Sequence, residues 1–259
     1  MVPLKFVKVA LQRIAPRAVY RYDLWKIANR EPETRRLRDW CRKDRISIDV
    51  GAHRGVYACY MLPHSAAVHA FEPLPSLQEQ LHQYFGDRIH LYPVALSDQD
   101  GQADLRLPRG LSSCATIDTH NPLDVADHRP IETIAVPTRR LDSYGFSNVG
   151  FIKIDVEGHE ERVLRGALDT LRASRPTLLI EIEERHNPGA LQRVTALLGG
   201  LGYEGRFLDH GQMRPIGDFD LARDQNSEHV GLRGRLGRYI NNFVFKSRST
   251  EHGAGSRKT

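Results

Sequence analysis

Carboxylates recur at the ends of apolar runs in this chain: Asp49 in SIDVGAHRGVY, Glu72 in AVHAFEP, Asp98 after PVALS, Asp155 and Glu157 in GFIKIDVEGHE, Glu181 and Glu183 in PTLLIEIEERH. Acids gathered at one edge repel one another and resist desolvation unless a cation or several N–H donors compensate them. The partner they call for carries positive charge. The first stretch adds a second requirement. Ile48 and Val50 read as a buried parallel strand, Gly51 and Gly55 bracket a turn, and Val56 and Tyr57 open a helix. Such a junction offers backbone N–H groups and the positive end of a helix dipole to an anionic group. A pyrophosphate would satisfy the loop but suffer from the acids. S-adenosylmethionine satisfies both, with a sulfonium and an ammonium for the acids, ribose hydroxyls for a paired acceptor, and one carboxylate for the helix terminus.

These groups meet only if the elements carrying them run side by side. Expected strands at 45–50, 67–73, 89–97, 150–156 and 176–183 alternate with expected helices near 55–62, 75–85, 159–173 and 188–201. Alternation of this kind builds a doubly wound α/β sheet, whose ligand lies beyond the carboxyl ends of the strands. A β-rich insert, 101–149, separates the third strand from the fourth. The stretches YEGRFLDHGQMRPI and RYINNFVFKS predict two more strands that close the sheet as an antiparallel hairpin. The expected architecture is a mostly parallel, seven-stranded Rossmann-like sheet over 46–246, with a basic helical N-terminal arm over 1–45 and a disordered polar tail over 247–259. A chain of 259 residues with 40% hydrophobic composition can bury one large core of this size.

Charge is unevenly placed along it. Residues 1–45 hold 13 Lys and Arg against 5 Asp and Glu, whereas the rest holds 24 against 27, so the arm is basic and the body mildly acidic. Leu4, Val7, Leu11 and Ile14 recur at helical spacing, and Tyr20, Leu24 and Ile27 repeat the pattern beyond Pro16. The first expectation is a helical cap packed on the core. The sharper alternative is a basic amphipathic helix in peripheral contact with an anionic membrane. Nucleic acid is not an expected partner, because basic and aromatic residues do not interleave along a strand. Cys41, Cys59 and Cys114 show no metal or redox spacing, and lysines and an arginine interrupt the apolar positions of the first 20 residues. The protein is expected to be cytoplasmic, at most peripheral at the inner face of a membrane.

Taken in order and separation, IDVGAHRGVY, HAFEPLP, ALSD, FIKIDVEGHEERVLRGA and PTLLIEIEERH resemble the FkbM family of S-adenosylmethionine-dependent O-methyltransferases. The resemblance covers about residues 46–186, with weaker likeness through Phe245, and KIDVEGHE is its specific part. It implies transfer of a methyl group to a hydroxyl of a sugar, glycan, glycolipid or natural product. The cofactor-binding residues expected are Asp49, Gly51, Ala52, His53, Gly55, Glu72, Pro73, Asp98 and Asp155. Asp49 would take the ammonium while the bare backbone of Gly51 approaches the methionine moiety. Glu72 stands 21 residues after Gly51, the separation of the acid that accepts both ribose hydroxyls in dinucleotide folds. Asp98 fits either the adenine edge or a turn in SDQDG.

The catalytic residues expected are His159, Asp155, Glu157 and Glu181. Methyl transfer is an in-line displacement, so the protein must align an acceptor oxygen and remove its proton. Imidazole is the side chain that titrates nearest neutrality, which makes His159 the first choice of base, against a plain role in the first turn of its helix. Asp155 and Glu157 would orient the cofactor or the base. Lys153 either pairs with one of these acids or snorkels to a helix edge. Glu181, Glu183 and His186 could hold Mg²⁺ or Mn²⁺, but the chain lacks an H-x-E-x-H or cysteine pattern, and metal independence is the expectation. Asp142 reads as the N-cap of a short helix. Acceptor recognition falls to the insert and the loop after Glu183, through Arg106, Arg109, Ser112, Ser113, Arg139, Arg140, Arg185 and His186. An NAD-dependent oxidoreductase would want a G-x-G-x-x-G loop, and GAHRG lacks that spacing.

Overall fold

Val149–Ile154 is buried at every residue, the pattern of a strand covered on both faces at the centre of a parallel sheet. The computed structural model describes residues 14–123, 129–229 and 238–248. Among these, the strands are β1 (Ile46–Val50), β2 (Val68–Phe71), β3 (His90–Tyr92), β4 (Ala95–Leu96), β5 (Gly101–Pro108), β6 (Ile131–Arg139), β7 (Val149–Ile154), β8 (Thr177–Glu181), β9 (Tyr203–Asp209), β10 (Gln212–Pro215) and β11 (Asn242–Ser247). The main sheet runs β10-β9-β11-β8-β7-β1-β2-β3. From β8 to β3 all pairings are parallel, whereas β11 is antiparallel to both β8 and β9, and β10 to β9.

The sheet thus has eight strands and is mixed, where seven mostly parallel ones were expected. The extra strand comes from YEGRFLDHGQMRPI, which turns back on itself. His210 and Gly211 both take positive φ, 45° and 84°, the conformation of a two-residue hairpin turn whose twist suits the flanking strands. The expected third strand, 89–97, also divides. Pro93 has no N–H for the ladder, so β3 stops at Tyr92, and Ala95–Leu96 leaves the main sheet to pair with β6. With the β5–β6 hairpin it forms a second, three-stranded sheet, β4-β6-β5, which is the fold of the insert.

Two apolar layers sandwich the main sheet. Ile48, Val50, Ile152, Ile154, Leu178 and Ile180 face one cluster, and Phe151, Leu179 and Val244 face the other, as strand alternation requires. The first layer is closed by helices Glu160–Arg165, Leu168–Ser174 and Ala190–Gly200. The expected helix 159–173 is broken at Gly166, where a Cβ would lie 2.0 Å from the Ser97 carbonyl oxygen. Asp142 does cap a helix, but a distant one: its carboxylate accepts from the Asp169 and Thr170 N–H groups and the Thr170 hydroxyl. The second layer is closed by Val56–Met61, Pro75–Phe85 and the N-terminal segment. In that segment Leu24, Ala28, Leu37 and Trp40 are buried, and Trp40 stacks on Phe151. Residues 16–41 therefore cover the core as a cap. Leu4, Val7 and Leu11 lie outside the described residues, as does the polar tail from 249 on.

Candidate active site

A cavity of 320 Å³ opens beyond the carboxyl ends of β1, β2, β7 and β8. Its floor is the loop after β1, where Gly51 takes φ +76° and a Cβ would meet the Asp155 carbonyl oxygen at 1.9 Å. Two strand ends approach this closely only if one of them has no side chain. The loop is less open to an anion than expected. The N–H groups of Gly51 and Ala52 donate to the Phe71 carbonyl, that of Gly55 to Ala52, and that of His53 to Glu72.

Glu72 is 4% exposed and borders the cavity. It accepts from the His53 and Leu74 N–H groups at 2.7 and 2.8 Å, which ties the loop after β1 to the end of β2. Burial pushes its carboxyl up to about 7 despite both donors. Gly51, Ala52, His53, Pro73, Asp155, Glu157, His159 and Glu181 also border the cavity. Three expected cofactor residues do not. Asp49 is 2% exposed beneath the loop, and its Oδ2 accepts from the Ala58 N–H at 2.8 Å, so it anchors the following helix. Gly55 packs on the helix Pro75–Phe85, where a Cβ would lie 2.6 Å from the Phe85 ring. Asp98 turns to Arg162, 3.6 Å away, and accepts from the Ser97 hydroxyl. The bend at Pro93 carries it off the edge on which the other acids converge.

Lys153 does not extend to solvent; it is fully buried. Its Nζ donates to Asn242 Oδ1 at 3.2 Å, lies 3.7 Å from Asp155 and 3.8 Å from Glu181, and sits 5.0 Å from the Tyr57 ring centroid. It is the internal cation that lets this acidic edge form. Asp155 is the most open of the three acids, with 31% of its side chain exposed against 18% for Glu157 and 13% for Glu181. Burial, then the neighbouring carboxylates, hold Glu157 well above the usual carboxylate range, and Glu181 likewise despite Lys153. Glu183 lies past the end of β8 and turns away, paired with Arg185 and accepting from the Tyr239 hydroxyl.

The loop carrying Glu157 is held by several hydrogen bonds. Its φ is +55°, an uncommon conformation for a residue with a side chain. The Glu157 carbonyl accepts from Thr116 Oγ1 and Asn121 Nδ2, both at 2.8 Å, the Gly158 N–H donates to Glu160, and the Gly158 carbonyl accepts from Asn187. The Glu157 carboxyl itself meets His186 Nδ1 at 3.0 Å, an imidazole that burial lowers to about 4. His159 is placed differently from the expectation. It borders the cavity at 6% exposure, but Nε2 lies 2.9 Å from Ser97 Oγ and Nδ1 faces Asp118 Oδ2 at 3.5 Å. Nε2 is thus engaged by the protein, whereas Nδ1 is buried, faces the Asp118 carboxylate and makes no hydrogen bond. Among the described residues, no cluster of three or more His, Cys, Asp or Glu has the arrangement of a metal site.

Several cavity residues were invisible in the sequence. Tyr57 has a buried hydroxyl and Arg54 a buried Nε that find no partner in the protein, and both residues border the cavity. Buried polar groups are seldom left unpaired, so these point to a ligand. Ile27 and Glu31 bring the N-terminal cap into the wall; Ser112 and Ser113, which were expected from the sequence, bring the insert. The insert's arginines serve other partners: Arg106 bonds the Asp118 and Asn121 carbonyls, Arg109 pairs with Glu132, Arg139 with Asp100, and the Arg140 N–H donates to Asp100.

A family described as the methyltransferase FkbM domain matches residues 49–206. The 2-O-methyltransferase NoeI of Sinorhizobium fredii is 28% identical over 150 residues, 52% of this chain and 62% of the relative. The hexuronic acid methyltransferase AglP of Haloferax volcanii is 28% identical over 181 residues, 68% of this chain and 72% of the relative. The crystal structure of methyltransferase FkbM from Methylobacillus flagellatus KT shares the fold with a TM-score of 0.50 at 16% identity, over 79% of this chain and 44% of that one. The chain therefore spans less than two thirds of the length of NoeI and less than half of the M. flagellatus chain.

Proposed function

Because the chain belongs to the methyltransferase FkbM domain family, we propose that it transfers a methyl group from S-adenosylmethionine to a hydroxyl oxygen of a sugar, glycan or glycolipid. The observation that carries this reading is the convergence on one cavity of a paired-acceptor acid, Glu72, with an acidic edge held over a buried lysine. Two features of the cavity support the cofactor: the unpartnered polar atoms of Arg54 and Tyr57, and the free lone pairs of Glu72. In this scheme Glu72 receives the ribose hydroxyls. Asp155, the open acid of the edge, faces the ammonium, a role transferred from the enclosed Asp49. Arg54 and Tyr57 take the carboxylate. The cofactor supplies a methyl group already activated by its sulfonium.

What remains for the protein is to hold an acceptor oxygen in line and take its proton. Glu157 suits the second task better than His159, because it borders the cavity and its raised pKa favours accepting a proton from an alcohol. His186 and the Thr116 and Asn121 hydrogen bonds fix its position; His159, engaged by Ser97 and Asp118, joins the insert to the sheet. Ser112 and Ser113 from the insert, with Ile27 and Glu31 from the cap, border the acceptor side. The printed names of NoeI and AglP support oxygen as the methylated atom and a sugar acid as one acceptor of the family. Mass spectrometry of surface glycans and glycolipids, with and without the gene, tests the proposal. Loss of one methyl group per repeat from a saccharide is expected. An unchanged methylation pattern, together with no transfer of labelled methyl to any glycan fraction by the purified protein, would refute the acceptor class.

A further inference from the structure

The helix Pro16–Ala28 is apolar on two sides. Leu24 and Ala28 are buried in the core, the Tyr20 ring packs tilted against Tyr84 at 4.5 Å, and the Tyr20 hydroxyl donates to the Arg54 carbonyl, so the inward face is used. The outward face carries Tyr22 at 55% and Trp25 at 52% exposure, with their rings stacked at 5.8 Å, and Ile14, just ahead of the helix, is 81% exposed. Tyr22 and Trp25 stand three residues apart, side by side on one face of the helix. Cations flank them: Arg17, Arg21, Lys26 and Arg30 are exposed, and the Lys26 ammonium lies over the Tyr22 ring at 5.8 Å. The sequence before the helix adds Lys5, Lys8 and Arg13, so residues 1–30 hold seven basic side chains and one acid, Asp23. Among the described residues no helix is long and apolar enough to cross a membrane.

We propose that this outward face of the helix Pro16–Ala28 docks on an anionic lipid bilayer, with Tyr22 and Trp25 seated at the headgroup level and the flanking Lys and Arg on the lipid charges. Tyr and Trp favour that depth because one ring edge is apolar and the other polar, and a row of basic side chains is attracted to anionic lipid alone. A protein partner would need a complementary acidic and apolar groove, for which the face's plain charge excess is not selective. The same helix lends Ile27 to the cavity wall, so a bilayer seated on Trp25 lies about a helix diameter from the acceptor side. This placement is independent of which acceptor is methylated.

The chain holds two tryptophans, and Trp40 is 5% exposed in the core, so a change in emission on binding reports Trp25. The full chain should sediment with vesicles containing phosphatidylglycerol and not with phosphatidylcholine alone, and its emission should shift to the blue. Binding should fall as salt rises, because exposed charges are screened over about 8 Å at physiological ionic strength. Trp25→Ala with Tyr22→Ala should weaken it by roughly tenfold, and Lys26→Gln by about fivefold, the scale of one surface cation, with unchanged thermal melting. Equal binding to neutral vesicles, no binding to anionic ones at low salt, or a blue shift that follows protein concentration instead of lipid would overturn the proposal. The last result would assign the face to a second copy of the chain.

Discussion

Glu157→Gln is expected to lower the turnover of methyl transfer by about 10² to 10⁴, the range for loss of a general base, equivalent to roughly 3–5 kcal/mol of barrier. The amide keeps the size of the side chain and a group for His186 to bond, but it cannot take a proton. Cofactor affinity should stay near that of the wild type, since the residues assigned to the cofactor are untouched. His159→Gln should cost no more than about tenfold, because it removes neither the base nor a cofactor contact. The sign of the pH dependence follows from burial. A carboxyl raised above its ordinary range is protonated at low pH and cannot serve as base, so the wild-type rate should climb with pH through an apparent pKa above that of a free glutamate. That value belongs to the linked pair Glu157 and Glu181. Glu157→Gln should flatten this limb. Initial rates across pH, followed by release of S-adenosylhomocysteine at saturating acceptor, check both points. A near-normal Glu157→Gln beside a His159→Gln reduced a hundredfold would return the base to the imidazole.

Gly51→Ala should be almost as damaging as Gly51→Val. If the glycine served only to leave room for the methionine moiety, a single methyl group would be tolerated and a branched one would not. The obstacle lies closer: at φ +76° a Cβ falls 1.9 Å from the Asp155 carbonyl oxygen, which is backbone and belongs to the end of the central strand. Left-handed backbone with a side chain costs about 1–3 kcal/mol, and forcing apart two packed strand ends adds roughly 1–3 kcal/mol. A loss of about 3 kcal/mol in a domain of this size lowers Tm by roughly 6–12 °C. Both variants should melt at least that much earlier, with cofactor binding lost because Asp155 is displaced. Melting curves decide it: a stable, cofactor-binding Gly51→Ala would mean that the loop and β7 do not meet as described.

Some of this site was readable before any coordinates because its residues sit on strands. Ile48, Val50, Ile152 and Ile154 alternate or run together in ways that only a buried parallel strand permits, and the acids that follow them had to emerge at one edge. The glycine loop and the position of Glu72 came from the same logic. What was not readable depended on tertiary contact. Nothing local says that Asp49 bonds the Ala58 N–H beneath the loop, that Pro93 swings Asp98 off the edge, or that Asp118 of the insert meets His159. Arg54 and Tyr57 stand within the loop stretch itself, yet what singles them out is an unpaired atom facing a cavity. Lys153 was legible as an alternation break in a buried strand, though only packing shows it enclosed beneath Tyr57. Ile27 and Glu31 lie outside the matched family region, 49–206, and reach the wall only because the cap folds over the second apolar layer.

The central claim is that Glu72 and the acidic edge bind S-adenosylmethionine, and calorimetric titration of that molecule into the wild type and Glu72→Ala measures it without needing the acceptor. One equivalent should bind to the wild type. Losing two charge-assisted hydrogen bonds in a buried site should weaken Glu72→Ala by roughly 2–3 kcal/mol, about 30- to 150-fold in Kd, with thermal melting confirming that the variant is folded. No heat of binding with the wild type, or equal affinity in a folded Glu72→Ala, would contradict the account.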